Sequence, residues 1–287
     1  MGDKAKKVLA INDLCAFGKV SLNVTIPILA TMGVQTCPLP TMILSTHTDG
    51  YGCPYTLDLS ASHYPILEHL QQSDIKFDSV YSGYMANKKQ VSIVREIIKS
   101  QSAKLKLVDP VMGDNGEYYT FFNGCYLQEV KRLIAEAYII TPNITEAFLL
   151  LGKEYKVTSL ETATLKEYLK HLADIGPRYV VVTSVVFEDG KYGNVAYDKD
   201  TNRFFKINFN HYPVTYPGTG DIFASVMLGC LLSQDDIKEA LGISTLFCES
   251  SVKHTFFQGS DIREGIHFER ELHRLNSKSL ISLAEEF

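Results

Sequence analysis

Short β-rich runs alternate with helical patterns along most of this 287-residue chain, and this alternation restricts the fold more than any other feature. The predicted strands lie at residues 8–11, 35–39, 79–82, 105–108, 138–140 and 179–182. The predicted helices lie at residues 22–31, 64–72, 90–100, 126–136, 145–151 and 162–174. Strands that alternate with helices predict βαβ units and an α/β fold with a mainly parallel sheet.

The pattern changes between residues 185 and 208, where segments of alternating polarity are separated by turn signals. These signals are Asp189-Gly190 and Asp200-Thr201-Asn202, and they predict a small antiparallel hairpin region. Thr158 and Glu161 have the spacing of a capping box before the helix at residues 162–174. No repeat or linker composition divides the chain, so we expect one domain over residues 1–287.

The composition argues against several classes of protein. The net charge is −5 and no run of Lys or Arg exceeds two residues, so we expect no nucleic-acid partner. The 6 cysteines are scattered without metal-ligand spacing, which is typical of reduced thiols in the cytosol. The short apolar run before Asn12 predicts neither a signal peptide nor a membrane span. We therefore expect a cytoplasmic protein with no membrane partner.

The motif Gly218-Thr219-Gly220-Asp221 precedes an almost wholly apolar segment that is typical of a buried helix. The first N–H groups of a helix lack intrahelical partners and attract an anion, and glycine lets a ligand approach the backbone closely. Asp221 would then be a catalytic base beside an anion site. The same residues would also fit a plain turn followed by a first-turn carboxylate.

Two better-known phosphate motifs do not match the spacing. A dinucleotide fingerprint needs a third small residue where Phe223 stands, and it belongs near the start of a βαβ unit. A P-loop needs Ser or Thr after its Gly-Lys pair, whereas Gly18-Lys19 is followed by Val20.

Polar residues follow several predicted strands. In open α/β sheets ligands bind at the carboxyl ends of the parallel strands, which lie along one edge. Any one of these polar ends would also suit plain solvent exposure, but together they predict a ligand cleft. The strand ends are Asn12-Asp13, Ser82-Gly83-Tyr84, Asp109-Pro110, Thr141-Pro142-Asn143 and Thr183-Ser184.

Several blocks in order over about residues 7–275 strongly resemble the pyridoxal/pyridoxamine kinases of the ribokinase-like superfamily. These blocks are Val8-Leu9-Ala10-Ile11-Asn12-Asp13, Ser45-Thr46-His47-Thr48, Tyr81-Ser82-Gly83-Tyr84, Asp109-Pro110-Val111-Met112-Gly113-Asp114, Thr141-Pro142-Asn143-Ile144-Thr145-Glu146 and Gly218-Thr219-Gly220-Asp221. The resemblance implies a ribokinase-like three-layer α/β/α sandwich with a mainly parallel central sheet. It also implies transfer of the ATP γ-phosphoryl group to the 5′-hydroxymethyl of pyridoxal, pyridoxamine or pyridoxine.

The resemblance assigns roles to the glycine motif and to the nucleotide site. Asp221 is expected to accept the alcohol proton, while the Gly218, Thr219 and Gly220 amides stabilise the transferring phosphoryl group. Mg²⁺ bound with ATP is expected near Asp109 and Glu146, mainly through water, with K⁺ as a further cation. Glu146 would otherwise be a solvated helix residue. The implied ATP-binding residues are Asp109, Asp114, Thr141, Asn143, Glu146, Thr183, Ser184, Thr219 and Gly220.

The resemblance also assigns the vitamer site, to Asp13, Thr48 and Tyr84 with Val20 and Leu44 as apolar walls. Tyr84 would stack on the pyridine ring or serve the core, and Thr48 would contact the ring or hold a turn. Asp13 departs from the family, whose better-known members carry serine there. A carboxylate would form a charge-assisted bond to a protonated ring nitrogen or to the amine of pyridoxamine, or would face the strand end without a partner.

Several other functions stay open at this stage. A hydroxymethylpyrimidine kinase of the same branch would typically carry cysteine in place of Asp221. A ribokinase-type sugar kinase would need a glycine- and asparagine-rich motif near the amino terminus, and a nicotinamide oxidoreductase would need the third glycine. A catalytically silent nucleotide- or vitamer-binding regulator would be expected to lack one of the carboxylates. We also expect a homodimer, formed through residues 37–44 or through Phe121-Phe122.

Overall fold

The computed structural model describes residues 4–119, 124–155, 159–277 and 279–287, and it confirms the predicted α/β architecture. The strands are β1 (Lys7–Phe17), β2 (Gln35–Thr46), β3 (Thr56–Asp58), β4 (Ser79–Ser82), β5 (Leu105–Val108), β6 (Gly113–Asp114), β7 (Glu117–Tyr118), β8 (Ile139–Ile140), β9 (Tyr179–Val186), β10 (Tyr192–Asp198), β11 (Arg203–Phe209) and β12 (Glu285–Glu286). The helices are α1 (Leu22–Thr31), α2 (His63–Gln72), α3 (Lys88–Ser100), α4 (Gly124–Ile134), α5 (Ile144–Leu151), α6 (Thr162–Asp174), α7 (Thr219–Leu232), α8 (Ile237–Gln258) and α9 (His273–Asn276).

One large sheet runs through the described residues in the order β12-β11-β10-β9-β8-β5-β4-β1-β2-β3. The pairs from β2 through β1, β4, β5 and β8 to β9 are parallel. Antiparallel strands flank this parallel centre, with β3 at one edge and β10, β11 and β12 at the other. The hairpin turns predicted at Asp189-Gly190 and Asp200-Thr201-Asn202 join β9 to β10 and β10 to β11.

The two faces of the sheet bury two separate hydrophobic cores. Side chains alternate along a strand, so Leu9 and Ile11 pack on one face while Val8 and Ala10 pack on the other. Helices α3, α4, α5 and α6 contribute to the first core, and α1, α7 and α8 contribute to the second. The result is the predicted three-layer α/β/α sandwich.

Strands β1 and β2 run several residues beyond their predicted ends. The pairing continues from Lys7 opposite Gln35 to Phe17 opposite Thr46, with an irregularity opposite Asp13. Prolines stand at positions 38 and 40 within β2. They are tolerated because β3 pairs with β2 only at residues 42–44, which leaves the proline segment unpaired on that side. Asp13 therefore lies within β1, beyond the residues of β1 that pair with β4.

Two predictions involve residues outside the described part of the chain. Thr158 of the predicted capping box is one, and the structure starts α6 at Thr162 with Glu161 as its N-cap. The Phe121-Phe122 pair proposed for a dimer contact is the other. No helix in the described segments combines the length and the apolar content needed to cross a bilayer.

Candidate active site

The glycine motif forms the start of α7, as the sequence predicted. Gly218 is the N-cap with φ 87°, and a Cβ there would collide with the carbonyl oxygen of Lys19, so only glycine fits. The first-turn amides from Thr219 to Asp221 find no acceptor among the described residues. Since Gly220 is exposed, these amides can receive an anion from the solvent side.

Asp221 stands at the third position of this helix and is partly buried. Oδ1 accepts a hydrogen bond from Asn12 Nδ2 at 3.2 Å, and Oδ2 accepts one from the Ser21 amide at 2.8 Å. The pKa of Asp221 is raised to about 7, because burial and the charge of Asp13 raise it by more than the two hydrogen-bond donors lower it. A carboxylate with a pKa close to the working pH suits a general base.

Ser21 joins Asp221 to Asp13. Its amide serves Asp221, while its hydroxyl donates to Asp13 Oδ1 at 2.5 Å. Ser21 is the N-cap of α1, but its side chain caps no helix amide, and its backbone lies at φ 53°, ψ −127°. A lost cap costs about 0.5–2 kcal/mol and such a backbone about 1–3 kcal/mol, so the surrounding structure must hold this conformation.

Asn12 connects the same group of residues through both ends of its amide. Besides the bond to Asp221, its Oδ1 accepts from the Asp13 amide at 3.0 Å and from the Tyr84 amide at 2.8 Å. Asn12 is fully buried, and Gly83 leaves the space that its side chain fills. Asn12 therefore fixes the middle of β1 and the turn after β4 relative to the start of α7.

The predicted apolar walls meet beside Asp13. Val20 and Tyr84 pack against a small buried cluster that contains Leu44, Cys15 and Met42. The Cys15 thiol donates to Asp13 Oδ2 at 3.4 Å, and burial together with the Asp13 charge raises the pKa of Tyr84 to about 12. Burial raises the pKa of Asp13 itself. This arrangement places one buried carboxyl group beside an apolar cluster.

Thr48 is the predicted vitamer residue that the structure does not tie to this group. It is exposed in a bend two residues after β2 ends, and no hydrogen bond connects its side chain to another described residue. The neighbouring His47 is buried, and its Nδ1 accepts from the Asp49 amide at 3.1 Å.

Asp109 lies directly beside the glycine motif. A Cβ added to Gly220 would stand 3.7 Å from Asp109 Oδ2. The residue is buried, and within the described segments no hydrogen bond reaches its carboxyl group. Burial raises the pKa of Asp109 well above its ordinary value, and the nearby charges of Glu146 and Asp221 raise it further. This carboxylate is therefore available to a cation or a ligand.

Glu146 and Asn143 are bonded to each other in a capping box at the start of α5. Glu146 Oε2 accepts from the Asn143 amide and Asn143 Oδ1 accepts from the Glu146 amide, each at 2.9 Å. Glu146 Oε1 also accepts from the Met112 amide at 2.9 Å, and Asn143 Nδ2 donates to the Gly113 carbonyl at 2.9 Å. Burial raises the pKa of Glu146 to about 8, although its amide donors lower it. Both side chains thus hold the turn after Asp109 in place.

The remaining predicted nucleotide residues line the same edge of the sheet. Asp114 accepts both hydrogen bonds from Asn115, at 2.8 Å and 3.2 Å. Thr183 pairs with Asn143 in a parallel bridge, and Ser184, at φ 61°, donates its amide to Asn194. The buried hydroxyl of Thr141 has no hydrogen-bond partner among the described residues, so it is free to meet a ligand.

The carboxyl groups of this site suit a magnesium ion that takes its other ligands from phosphates and water. The described residues contain no group of three His, Cys, Asp or Glu side chains arranged to hold a metal ion. Asp109 supplies one carboxyl group without a hydrogen bond from the described residues, and Glu146 supplies a second buried carboxyl group that already accepts from backbone amides. Mg²⁺ prefers oxygen ligands, keeps several waters and binds through one or two carboxylates plus phosphates. The residues present fit that mode of binding.

Two residues of the site were not among the predicted functional residues. Asn12 was noted only as the polar end of a strand, although an amide there can bond in both directions. Ser21 carries no sequence signal, because its role depends on a backbone conformation that serine rarely adopts.

The site places the Asp221 carboxyl group next to free helix amides, at the edge of a parallel sheet where Asp109 and Glu146 add two more carboxyl groups. Phosphoryl transfer needs such positioning and charge stabilisation rather than covalent chemistry. The three-layer fold and this site define a kinase.

The comparisons with known proteins identify the family. A family model described as phosphomethylpyrimidine kinase matches residues 31–265, and the chain belongs to that family. A crystal structure from Bacteroides thetaiotaomicron, provisionally described as a phosphomethylpyrimidine kinase and solved in an orthorhombic form with pyridoxal, is 41% identical. It has a TM-score of 0.93 and the match covers 99% of this chain and 100% of that one.

Two relatives are named pyridoxal kinases. The structure from Lactobacillus plantarum is 30% identical with a TM-score of 0.88, over 96% of this chain and 98% of its own. The protein from Dictyostelium discoideum is 28% identical over 269 residues, which is 86% of this chain and 83% of its own. The resemblance found in the sequence is confirmed.

Proposed function

We propose that this kinase transfers the γ-phosphoryl group of ATP to the 5′-hydroxymethyl group of a vitamin B6 vitamer. The observation that carries the proposal is the Asp221 carboxyl group, which lies beside the open first turn of α7 and is oriented by Asn12 and Ser21. Val20 lies beside Gly218 and packs with Leu44 and Tyr84, and these apolar side chains suit the walls of a site for a pyridine ring.

The reaction uses these groups in a single displacement. The vitamer hydroxyl oxygen attacks the γ-phosphorus, the bond from that phosphorus to the bridging oxygen breaks, and ADP leaves. Asp221 accepts the hydroxyl proton, and the Gly218, Thr219 and Gly220 amides stabilise the charge on the transferring oxygens. Asn12 and Ser21 keep the accepting oxygen of Asp221 from rotating away.

Magnesium would supply charge neutralisation for the phosphates when it is bound. Asp109 would contact it or its waters, and Glu146 and Asn143 would orient that water shell from their capping box. A K⁺ ion near Asp109 and Asp114 is part of the same proposal. An assay in K⁺ compared with tetramethylammonium tests it, and equal rates in both would remove K⁺ from the mechanism.

The buried carboxyl group of Asp13 bears on which vitamer is preferred. It lies beside the pocket cluster through Cys15 and Val20, so a ring nitrogen or an amine could reach it. A charge-assisted bond there favours pyridoxamine. Asp13→Ser is expected to lower the ratio of kcat/KM for pyridoxamine over pyridoxal, and an unchanged ratio would remove Asp13 from vitamer choice.

The second candidate is a hydroxymethylpyrimidine kinase, in keeping with the description of the family. The carboxylate of Asp221, where that branch typically has cysteine, and the crystal form with pyridoxal of the 41% identical protein favour the B6 vitamers. One assay decides: the purified protein is incubated with Mg-ATP and pyridoxal, pyridoxamine, pyridoxine or hydroxymethylpyrimidine, and ADP is measured. Activity on the pyrimidine alone would overturn the proposal, and no ADP with any substrate would favour a silent binding protein.

A homodimer is the proposed assembly. Within residues 37–44 the side chains of Leu39, Met42 and Leu44 are buried in the protomer, which leaves Ile43 exposed. Tyr55 and Leu57 are exposed on the neighbouring edge and extend this apolar surface. Light scattering on the wild type and on Ile43→Glu tests the proposal, and a monomeric wild type would refute it.

A further inference from the structure

Ser21 bonds to both carboxyl groups of the site: its hydroxyl donates to Asp13 and its backbone amide donates to Asp221. A serine at a helix N-cap ordinarily accepts a hydrogen bond from the first turn. Here the hydroxyl instead donates to Asp13, while the carbonyl oxygen receives the Thr25 amide at 2.9 Å and so remains part of α1. The backbone of Ser21 therefore makes the usual first hydrogen bond of the helix, and only its side chain bonds elsewhere.

The backbone conformation explains how one residue reaches both groups. With φ 53° and ψ −127°, the Ser21 amide lies 2.8 Å from Asp221 Oδ2. Glycine adopts such a conformation without strain, whereas a residue with a Cβ does so rarely. The bond from the Ser21 hydroxyl to Asp13 ties the side chain down in that conformation. The amide that serves Asp221 and the hydroxyl that serves Asp13 thus depend on one another.

We propose that Ser21 is a positioning residue that couples vitamer recognition at Asp13 to the orientation of the base Asp221. The inference rests on the proposed function and deepens it. Through its hydroxyl Ser21 keeps the Asp13 oxygens aimed at the pocket, and through its amide it keeps Asp221 aimed at the substrate hydroxyl. Asn12 also donates to the Asp221 carboxyl group, but at Asp13 it bonds to the backbone amide and not to the carboxyl group.

Two substitutions separate the two contacts. Ser21→Gly removes the hydroxyl but permits the same backbone, so the amide can still reach Asp221. We expect its kcat to stay within about threefold of wild type, while KM for pyridoxamine rises about tenfold, the effect of one hydrogen bond to a charged group. Ser21→Ala removes the hydroxyl and keeps a Cβ in the strained backbone. We expect the same rise in KM together with a fall in kcat of about tenfold or more.

Ser225→Ala is the matched control. Ser225 is a fully buried serine on α7 whose hydroxyl donates to Thr25 on α1, in the same helix contact but without a bond to Asp13 or Asp221. We expect it to lower the melting temperature without changing KM for pyridoxamine. A purely structural role for Ser21 would give the same result in the control and in both Ser21 variants, and would overturn the proposal.

Binding without nucleotide distinguishes failure of this inference from failure of the proposed function. Pyridoxamine is titrated calorimetrically into wild type, Ser21→Gly, Ser21→Ala and Ser225→Ala. If wild type phosphorylates vitamers but the Ser21 variants keep wild-type affinity and kcat, Ser21 has no positioning role. If wild type binds pyridoxamine without phosphorylating it and the Ser21 variants lose about tenfold in affinity, the role at Asp13 stands while the kinase proposal fails. A wild type that binds no vitamer overturns both.

Discussion

Asn12 donates its side-chain amide to Asp221 at 3.2 Å, across 209 positions of sequence. Because Asn12 lies in the buried part of β1 and Asp221 is the third residue of α7, this bond fixes the Asp221 carboxyl group relative to the central sheet. The side-chain oxygen of Asn12 accepts a hydrogen bond from the amide of Tyr84, two residues after β4. Asp221 and Tyr84 therefore share a single buried support.

Asp221→Asn is expected to lower kcat by about 10² to 10⁴, the usual contribution of a general base. The amide is nearly the same size, so binding of ATP and of the vitamer should be retained. Single-turnover kinetics, together with calorimetric binding of both substrates, provides the measurement. A variant with kcat close to wild type would exclude Asp221 as the base.

The pH dependence of kcat/KM is expected to show an acid limb near pH 7. Asp221 acts as a base only when ionised, and burial raises its pKa to about 7, so the rate should fall as the pH drops below that value. The charge of Asp13 contributes to the raised pKa, so Asp13→Asn should move the limb to lower pH. A limb caused by titration of ATP or the vitamer would stay in place, and that result would contradict the assignment.

Gly218→Ala is expected to abolish most of the activity and to destabilise the protein by about 1–3 kcal/mol. The added Cβ would have to adopt φ 87° and would collide with the Lys19 carbonyl, two residues before Ser21. Gly190→Ala is the control, since Gly190 has φ 79° in the turn between β9 and β10 with open space around it. Urea unfolding and kcat are measured for both. Equal losses of activity in the two variants would show that strain alone matters.

Asn143→Ala is expected to lower both stability and activity, because Asn143 caps α5 and also bonds to Gly113 beside the phosphate site. The loss of an N-cap costs about 0.5–2 kcal/mol. Asn87→Ala removes the corresponding cap of α3, whose Asn87 side chain accepts from the Gln90 amide, and should cost similar stability without affecting kcat. If both variants keep full activity, Asn143 has no role beyond capping.

Much of the fold could be predicted because local patterns specify it. Helices α1 and α6 and strands β4 and β5 have the bounds that the sequence predicted, since apolar periodicity and glycine stops mark their ends. The extension of β1 and β2 could not be predicted, because it depends on which side of β2 is left unpaired. The capping box of Asn143 and Glu146 has a readable spacing, but the family resemblance assigned both residues to the nucleotide and metal site and not to a cap.

The sequence by itself determined the order of strands and helices, the open glycine turn at Gly218 and the polar strand ends, because each is a property of neighbouring residues. Only the tertiary structure decided that Asp13, Ser21, Asn12 and Asp221 form one bonded group. Those contacts join residues up to 209 positions apart, and one of them requires a strained serine. Packing of the two cores holds that arrangement in place, and no local pattern records it.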